Sequence, residues 1–256
     1  NAYDSIGKFV ENEKIKQALA FQTLYIGVSP FTGPSIYTII PMIELLYGVY
    51  YIKGGMYQMA KAMERRFLEL GGTIRFNQSV KEIVIMNGKA TGVKTEEGFI
   101  PADIVLSNAD FPYAMDNLIK ENKYKKKYTP KKIDKMEYSS SSFMIYLGMK
   151  KKYPKALHNI YFTSDFKGNV NDLFKDEIPM DPSFYVYSPS QIDETVAPEG
   201  KEVLYVLVPV PNKHNSKFEW NEDKINSYVD HVLNIMKQKE GFEDIAKLFD
   251  GVAAIE

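Results

Sequence analysis

The sequence contains no cysteine and only three histidines among its 256 residues. Without cysteine the chain can form no disulfide, no thiolate metal site and no cysteine nucleophile. The histidines, His158, His214 and His231, lie far apart, with no carboxylate or second histidine at the spacing of metal ligands. We therefore expect no metal site and no thiol chemistry.

Long hydrophobic runs are also missing. The most apolar window, residues 36–52, is interrupted by Pro41, Glu44 and Gly48, whereas a spanning helix needs about 18 uninterrupted apolar residues. The charged residues 1–20 do not resemble a secretory signal. Any contact with a membrane is therefore expected to be peripheral.

Charge of one sign is not in excess, since the formal net charge is −1. The lysine-rich stretch 121–132 is short, so we interpret it as a solvated loop and expect no nucleic-acid partner. Neither a G-x-G-x-x-G phosphate loop nor a G-x-S-x-G nucleophile elbow is present. These motifs therefore assign no catalytic residue.

Aromatic side chains are abundant, with 15 phenylalanines and 18 tyrosines. Such residues bury large areas with little polar demand. The chain could therefore line a long apolar cavity as readily as it could fill a core.

Hydrophobic spacing predicts two helices at the start of the chain, Ser5–Tyr25 and Ser35–Leu46, joined by a Gly- and Pro-rich turn. This helical hairpin has a strongly apolar surface. It could pack against another part of the protein, line a tunnel or contact a bilayer, and the sequence does not rank these three.

A third helix is predicted over Met56–Leu70, after Gly54 and Gly55. Short apolar runs in 73–110, separated by MNGK and EEGF, predict an antiparallel meander that includes TIRFN. Four more β-rich runs between residues 139 and 211 predict a second sheet, and spacing predicts a last helix over Glu222–Lys239. The fold class is α+β.

Five phrases, in order along the chain, resemble segments of bacterial carotenoid desaturases. They are FQTLYIGVSPFTGPSIYTIIPMIE, GVYYIKGGMYQMAKAM, ADIVLSNADFP, HNIYFTSDFKGN and APEGKEVLYVLVPVP. The phrasing is most similar to the dehydrosqualene (diapophytoene) desaturases, and the phytoene desaturases share it less closely.

The resemblance implies a helical cap at 1–50, part of a two-domain FAD-binding fold at 51–110, and a largely antiparallel substrate-binding domain at 111–256. It implies that FAD lies by Gly54 and Gly55, meets the backbone of Val80, and has its diphosphate near Ser107, Asn108 and Ala109. It places a group of aromatic residues where they could line a polyene tunnel, with ordinary core packing as the alternative: Phe21, Tyr25, Phe31, Tyr37, Phe143, Tyr146 and Tyr185.

The reaction implied is dehydrogenation of a long isoprenoid, dehydrosqualene or phytoene, by hydride transfer from allylic carbons to FAD. We expect a cytoplasmic protein attached peripherally to a membrane surface. The family's N-terminal G-x-G-x-x-G unit and C-terminal Gly-rich flavin motif are missing. We therefore expect a central fragment that is inactive alone and holds FAD weakly or not at all.

Two other functions stay open at this point. One is another flavin oxidoreductase of the same superfamily, such as an amine oxidase or a carotenoid oxygenating or isomerising enzyme. The other is an isoprenoid-binding module without catalytic activity.

Overall fold

The computed structural model describes residues 1–175, 177–214, 216, 218–239, 242–245 and 249–255. The chain divides into two compact units, which we name the sheet unit (1–61 and 138–256) and the meander unit (62–137). The cap, FAD and substrate segments expected at 1–50, 51–110 and 111–256 are defined by function, whereas these units are defined by contacts. That functional division stays a prediction.

The first predicted helix, Ser5–Tyr25, is divided in the structure. It is replaced by α1 (Ala2–Gly7), α2 (Glu13–Phe21) and a 3-10 helix (Gln22–Ile26). Asn12 has an extended backbone, and its side chain accepts hydrogen bonds from the backbone N–H groups of Lys14 and Ile15. Such an N-cap begins a new helix, so the prediction of one continuous helix was wrong.

The second half of the hairpin agrees with its prediction. A 3-10 helix over Ser35–Thr38 continues as α3 (Ile39–Tyr47). The connecting turn begins at Gly27, whose φ is +68°, and a Cβ there would lie 2.3 Å from Cβ of Ser139. Only glycine can therefore bring this turn so close to the strand that follows Ser139.

The sheet unit contains a five-stranded antiparallel sheet in the order β5-β6-β7-β4-β8. Its strands are β4 (Ser141–Met149), β5 (His158–Tyr161), β6 (Phe184–Tyr187), β7 (Glu202–Val210) and β8 (Phe249–Ile255). The first four correspond to the predicted β-rich runs. The sequence analysis missed β8.

One face of this sheet forms the main core. Alternate residues of β4, β6 and β7 point toward α9 (Glu222–Lys237), which lies within the predicted helix Glu222–Lys239. The fully buried side chains include Phe143, Ile145 and Phe184. Because successive strand residues point to opposite faces, this core fixes which residues face the other side.

The opposite face carries a row of rings. His158, Tyr187, Tyr205 and Tyr146 are directly paired across four neighbouring strands. Directly opposed residues in antiparallel strands lie on the same face. Beside this sheet, α8 (Phe166–Asp172) and the N-terminal helices share a smaller apolar cluster around Phe21, Phe166 and Val170.

The meander unit contains the three-stranded antiparallel sheet β1 (Glu82–Met86), β2 (Lys89–Thr95) and β3 (Gly98–Pro101). Asn87 and Gly88 both have positive φ, as a tight two-residue hairpin requires. The segment TIRFN, residues 73–77, is not a strand, and the extended segment predicted after residue 99 ends at Pro101. These two parts of the strand prediction were wrong because a short apolar run alone does not supply a pairing partner.

Helices precede and follow this meander along the chain. Ahead of it, α4 (Tyr57–Glu69) crosses the boundary between the two units. After it come α5 (Phe111–Tyr113), a π-helical turn (Ala114–Leu118), α6 (Asn122–Lys125) and α7 (Pro130–Asp134). The lysine-rich stretch is therefore partly helical, and the side chain of Lys125 is almost buried.

The α+β class predicted from the sequence is confirmed. Among the described helices, none combines the length and the apolar composition needed to span a bilayer.

Candidate functional site

A cavity of about 760 Å³ lies on the ring-bearing face of the large sheet, within the sheet unit. Its size is typical of small-molecule sites, which measure about 300–1,000 Å³. The lining residues are Phe21, Gln22, Leu24, Tyr25, Ile26, Gly27, Glu44, Val49, Ser139, Ser140, Ser142, His158, Ile160, Tyr185, Tyr205, Leu207 and Pro209.

The sheet and the helical hairpin provide opposite walls of this cavity. Tyr185 and Leu207 are paired across β6 and β7, so both side chains face the same side. The facing wall comes from the 3-10 helix Gln22–Ile26 and from α3. Most of the surface is apolar or aromatic, which suits a hydrophobic ligand.

Two polar side chains meet in this apolar wall. Nε2 of Gln22 donates a 2.8 Å hydrogen bond to Oε2 of Glu44. The other amide atom, Oε1 of Gln22, is buried and has no hydrogen-bond partner within the described part of the chain. Burial raises the pKa of the nearby Tyr25 hydroxyl, and the charge of Glu44 raises it further.

A second polar pair lies on the sheet wall. Nδ1 of His158 and the hydroxyl of Tyr185 are 2.6 Å apart. Burial raises the pKa of Tyr185, and the neighbouring Tyr25 adds to this effect, so the hydroxyl remains protonated at neutral pH. Among the cavity-lining side chains, Glu44 and His158 carry the carboxyl and imidazole groups that general acid–base chemistry uses.

Three of the predicted tunnel residues come together here. Phe21, Tyr25 and Tyr185 all line the cavity, although they are far apart in sequence. Tyr25 is 54% exposed, so its ring lies at the open side.

The other four predicted tunnel residues are absent from this lining. Phe143 is fully buried in the main core, where its ring stacks on Trp220. Phe31 packs in the smaller apolar cluster. Tyr37 is half-buried in the hairpin, and Tyr146 is partly exposed on the ring-bearing face of the sheet. Core packing, the alternative stated for these aromatics, describes Phe143 and Phe31 in this structure.

Gly54 and Gly55, the glycines expected beside FAD, form a loop that leads into α4. Their φ angles are +84° and +87°, a conformation that favours glycine. A Cβ on Gly55 would meet nothing within 4 Å, so a ligand could approach its backbone closely. This open backbone fits a flavin contact.

Both glycine N–H groups already have partners. The Gly55 N–H donates to the carbonyl of Ile52, and the Gly54 N–H donates to Oδ2 of Asp193 over 2.6 Å. Oδ2 of Asp193 also accepts from the Tyr51 hydroxyl at 2.8 Å. The loop can therefore offer a ligand its open surface, but not these two donors.

Asp193 is a buried carboxylate that the sequence analysis missed. Its Oδ1 accepts from the backbone N–H and the hydroxyl of Thr195 at 3.0 and 2.6 Å. The bond from the Thr195 hydroxyl, with those from Gly54, the Thr195 backbone and Tyr51, holds the pKa of Asp193 well below its usual range. Burial and the hydrogen bond to Asp193 raise the pKa of Tyr51 to about 12.

Val80 lies in a separate groove of the meander unit, of about 410 Å³. Its lining is Thr73, Arg75, Gln78, Val80, Val93, Thr95 and Ile100. Ser107, Asn108 and Ala109 are exposed and irregular in conformation, just before Asp110 caps α5.

Sequence reasoning also missed Gln22, Glu44 and His158 as cavity groups. A usable signal existed for Glu44, which is the only charged residue of α3. No comparable signal marked Asp193, because its partner loop lies 139 residues away.

The family model described as flavin containing amine oxidoreductase matches residues 6–245. The chain is 42% identical over 250 residues to a 4,4'-diapophytoene desaturase (4,4'-diaponeurosporene-forming) of Staphylococcus haemolyticus. That match covers 96% of this chain and 50% of the relative. It is also 43% identical to a zeta-carotene-forming phytoene desaturase of Myxococcus xanthus, over 83% of this chain and 41% of that relative.

Solved structures support the same fold. An oxidoreductase from Methanosarcina mazei matches with a TM-score of 0.68 and 18% identity, over all of this chain and 56% of that one. A reduced UDP-galactopyranose mutase matches with a TM-score of 0.51 and 17% identity, over 79% of this chain and 39% of that one. At these identities the likeness concerns the fold alone.

The chain spans about half the length of the curated relatives it matches. The resemblance to carotenoid desaturases, stated above from five phrases, is confirmed by these matches along most of the chain.

Proposed function

Because the chain belongs to the family of flavin containing amine oxidoreductases, we propose that it is part of an FAD-dependent desaturase acting on a long isoprenoid, dehydrosqualene or phytoene. The observation that carries this proposal is the sequence identity with two desaturases over most of the chain. The reaction breaks one C–H bond on each of two adjacent carbons and forms a C=C bond between them.

The cavity of the sheet unit is proposed as part of the substrate tunnel. Its apolar and aromatic walls suit a hydrocarbon that offers no hydrogen-bonding group. Such a reaction asks the protein mainly to place the correct carbon and to exclude water. Phe21 and Tyr185 are proposed to contribute to this as lining residues of the cavity. Glu44 and His158 could hold the proton that leaves the neighbouring carbon.

FAD is proposed to contact the glycine loop of the sheet unit. When bound, it supplies the two-electron acceptor for a hydride. Gly54 and Gly55 contribute a backbone that no side chain covers on the Gly55 side. In the meander unit, the groove that contains Val80 and Arg75 is proposed for the adenine end, with Ser107, Asn108 and Ala109 as contacts of the diphosphate.

A membrane surface is the proposed source of the substrate. Along α3, Leu45 is 81% exposed and Leu46 is 66% exposed, while Glu44 of the same helix lines the cavity. A contiguous exposed apolar surface marks a contact with a membrane, a protein or a ligand, and we propose the headgroup region of a bilayer as the contact here. A polyene leaving the lipid would then meet the cavity on the other side of α3.

The experiment that tests this function expresses the complete open reading frame encoding this chain in a colourless bacterial host. One strain also makes dehydrosqualene, a second makes phytoene, and a third makes neither. A new multi-peaked polyene band in the lipid extract of either substrate strain is the expected result, and the strain that responds identifies the carbon number. Colourless extracts from cells that contain the flavin-loaded protein would refute desaturation and favour another oxidation or a binding role.

A further inference from the structure

The carboxylate of Asp193 joins two segments that are distant in sequence. It is 1% exposed, and its two oxygens have separate partners. Oδ1 accepts both bonds from Thr195, within its own turn. Oδ2 accepts from Tyr51 and from the Gly54 N–H, at either end of the segment that leads into the glycine loop.

The glycine loop has little conformational preference of its own. Gly54 and Gly55 both adopt positive φ, and glycine populates many other conformations about as readily. A restraint from outside the loop is therefore needed to hold one geometry. A buried ionised carboxylate with four donors is such a restraint, because burying it without them would be costly.

From this geometry we infer that Asp193 is a positioning residue, which fixes the Gly54–Gly55 loop in the shape that receives FAD. The inference rests on the proposed function for its ligand, but its structural part, the restraint of the loop, does not. Asp193 acts through the loop rather than on the reacting atoms.

The test replaces Asp193 by asparagine in the complete protein. Asparagine keeps the size but has only one acceptor oxygen, so it cannot accept from the Gly54–Tyr51 pair and from both Thr195 donors at once. We expect hydrogen–deuterium exchange of the peptide containing Gly54 to become at least about tenfold faster, and the Kd of the apoprotein for FAD to rise by a similar factor, which corresponds to about 1.4 kcal/mol. Tyr51→Phe removes one donor and leaves the contact from the Gly54 backbone. It should therefore change the exchange rate and the Kd for FAD by smaller factors.

Glu202→Gln is the matched control. Glu202 is also a buried carboxylate of the sheet unit, 2% exposed, and accepts from the Tyr153 N–H and the Ser188 hydroxyl. We expect this variant to lose thermal stability without a change in exchange at Gly54 or in FAD affinity.

The inference is overturned if Asp193→Asn leaves both readouts unchanged, or if Glu202→Gln weakens FAD binding as much. A wild-type protein that binds no FAD would count against the proposed function instead. In that case the exchange of the Gly54 peptide still decides whether Asp193 holds the loop.

Discussion

Gln22 and Glu44 are joined by a 2.8 Å hydrogen bond across the cavity wall, and this bond links the 3-10 helix Gln22–Ile26 to α3. It leaves Oε1 of Gln22 buried without a partner among the described residues. The pair therefore connects two helical segments, and it also buries one hydrogen-bond acceptor that has no donor among the described residues.

Removing one member of this pair should cost more than removing both. Glu44→Leu leaves the whole amide of Gln22 without a partner, and a buried orphaned group costs about 1–3 kcal/mol. The double variant Gln22→Leu with Glu44→Leu replaces both groups by apolar ones and should be close to wild type. Urea unfolding of the wild type, Gln22→Leu, Glu44→Leu and the double variant measures this. A double variant that is less stable than Glu44→Leu would contradict the argument.

Tyr185 and Tyr187 offer a matched pair for testing the substrate cavity. Both lie on β6 and point to the same face, but only Tyr185 lines the cavity. Tyr185→Ala should raise KM for the polyene roughly tenfold, equivalent to about 1.4 kcal/mol of lost contact, whereas Tyr187→Ala should leave KM nearly unchanged. Initial rates with substrate presented in vesicles measure both. If the two substitutions change KM equally, the cavity is not part of the substrate path.

Phe143 should behave as a core residue. Its ring lies 4.9 Å from that of Trp220 and 5.0 Å from that of Tyr228, and it is fully buried. Phe143→Ala should lower the free energy of unfolding by about 3–5 kcal/mol. Tyr146→Ala, on the other face of the same strand, should cost much less. Denaturant unfolding of both variants checks this. If Phe143→Ala lowers the free energy of unfolding by less than about 1 kcal/mol, Phe143 is not a core residue and becomes a candidate for the tunnel lining again.

Phe143 and Tyr185 also illustrate what the sequence could predict. Alternation and turn residues identified β4 and β6, because strands with one buried face have a readable period. Which face carries the core depends on strand order and register, and these arise from pairings between distant segments. The same limit explains why β8 and Asp193 were missed, whereas α9 was predicted almost to its ends.

Protonation of Asp193 should destabilise the fold in acid. Its pKa is lowered in the folded state, so the stability it contributes is present above the unfolded value of about 3.9 and is lost as the pH falls through the folded pKa. The difference in unfolding free energy between wild type and Asp193→Asn should therefore be constant near neutral pH and shrink below about pH 4. Unfolding curves at a series of pH values test this sign. A difference that grows in acid would mean that the carboxylate is not held ionised by Tyr51, Gly54 and Thr195.

The exposed face of α3 should decide attachment to a bilayer. Leu45 and Leu46 are exposed and apolar. Replacing both by serine removes the hydrocarbon that would insert into lipid, and it leaves the cavity side of the helix unchanged. We expect the double variant of the complete protein to float with vesicles several-fold less than wild type in a density gradient. Phe9→Ser is the control, since Phe9 is 89% exposed but lies between α1 and α2, outside α3. If Phe9→Ser reduces flotation as strongly, the attachment reflects total exposed hydrophobicity rather than α3. If neither variant changes flotation, the route by which a polyene reaches the cavity does not pass through α3.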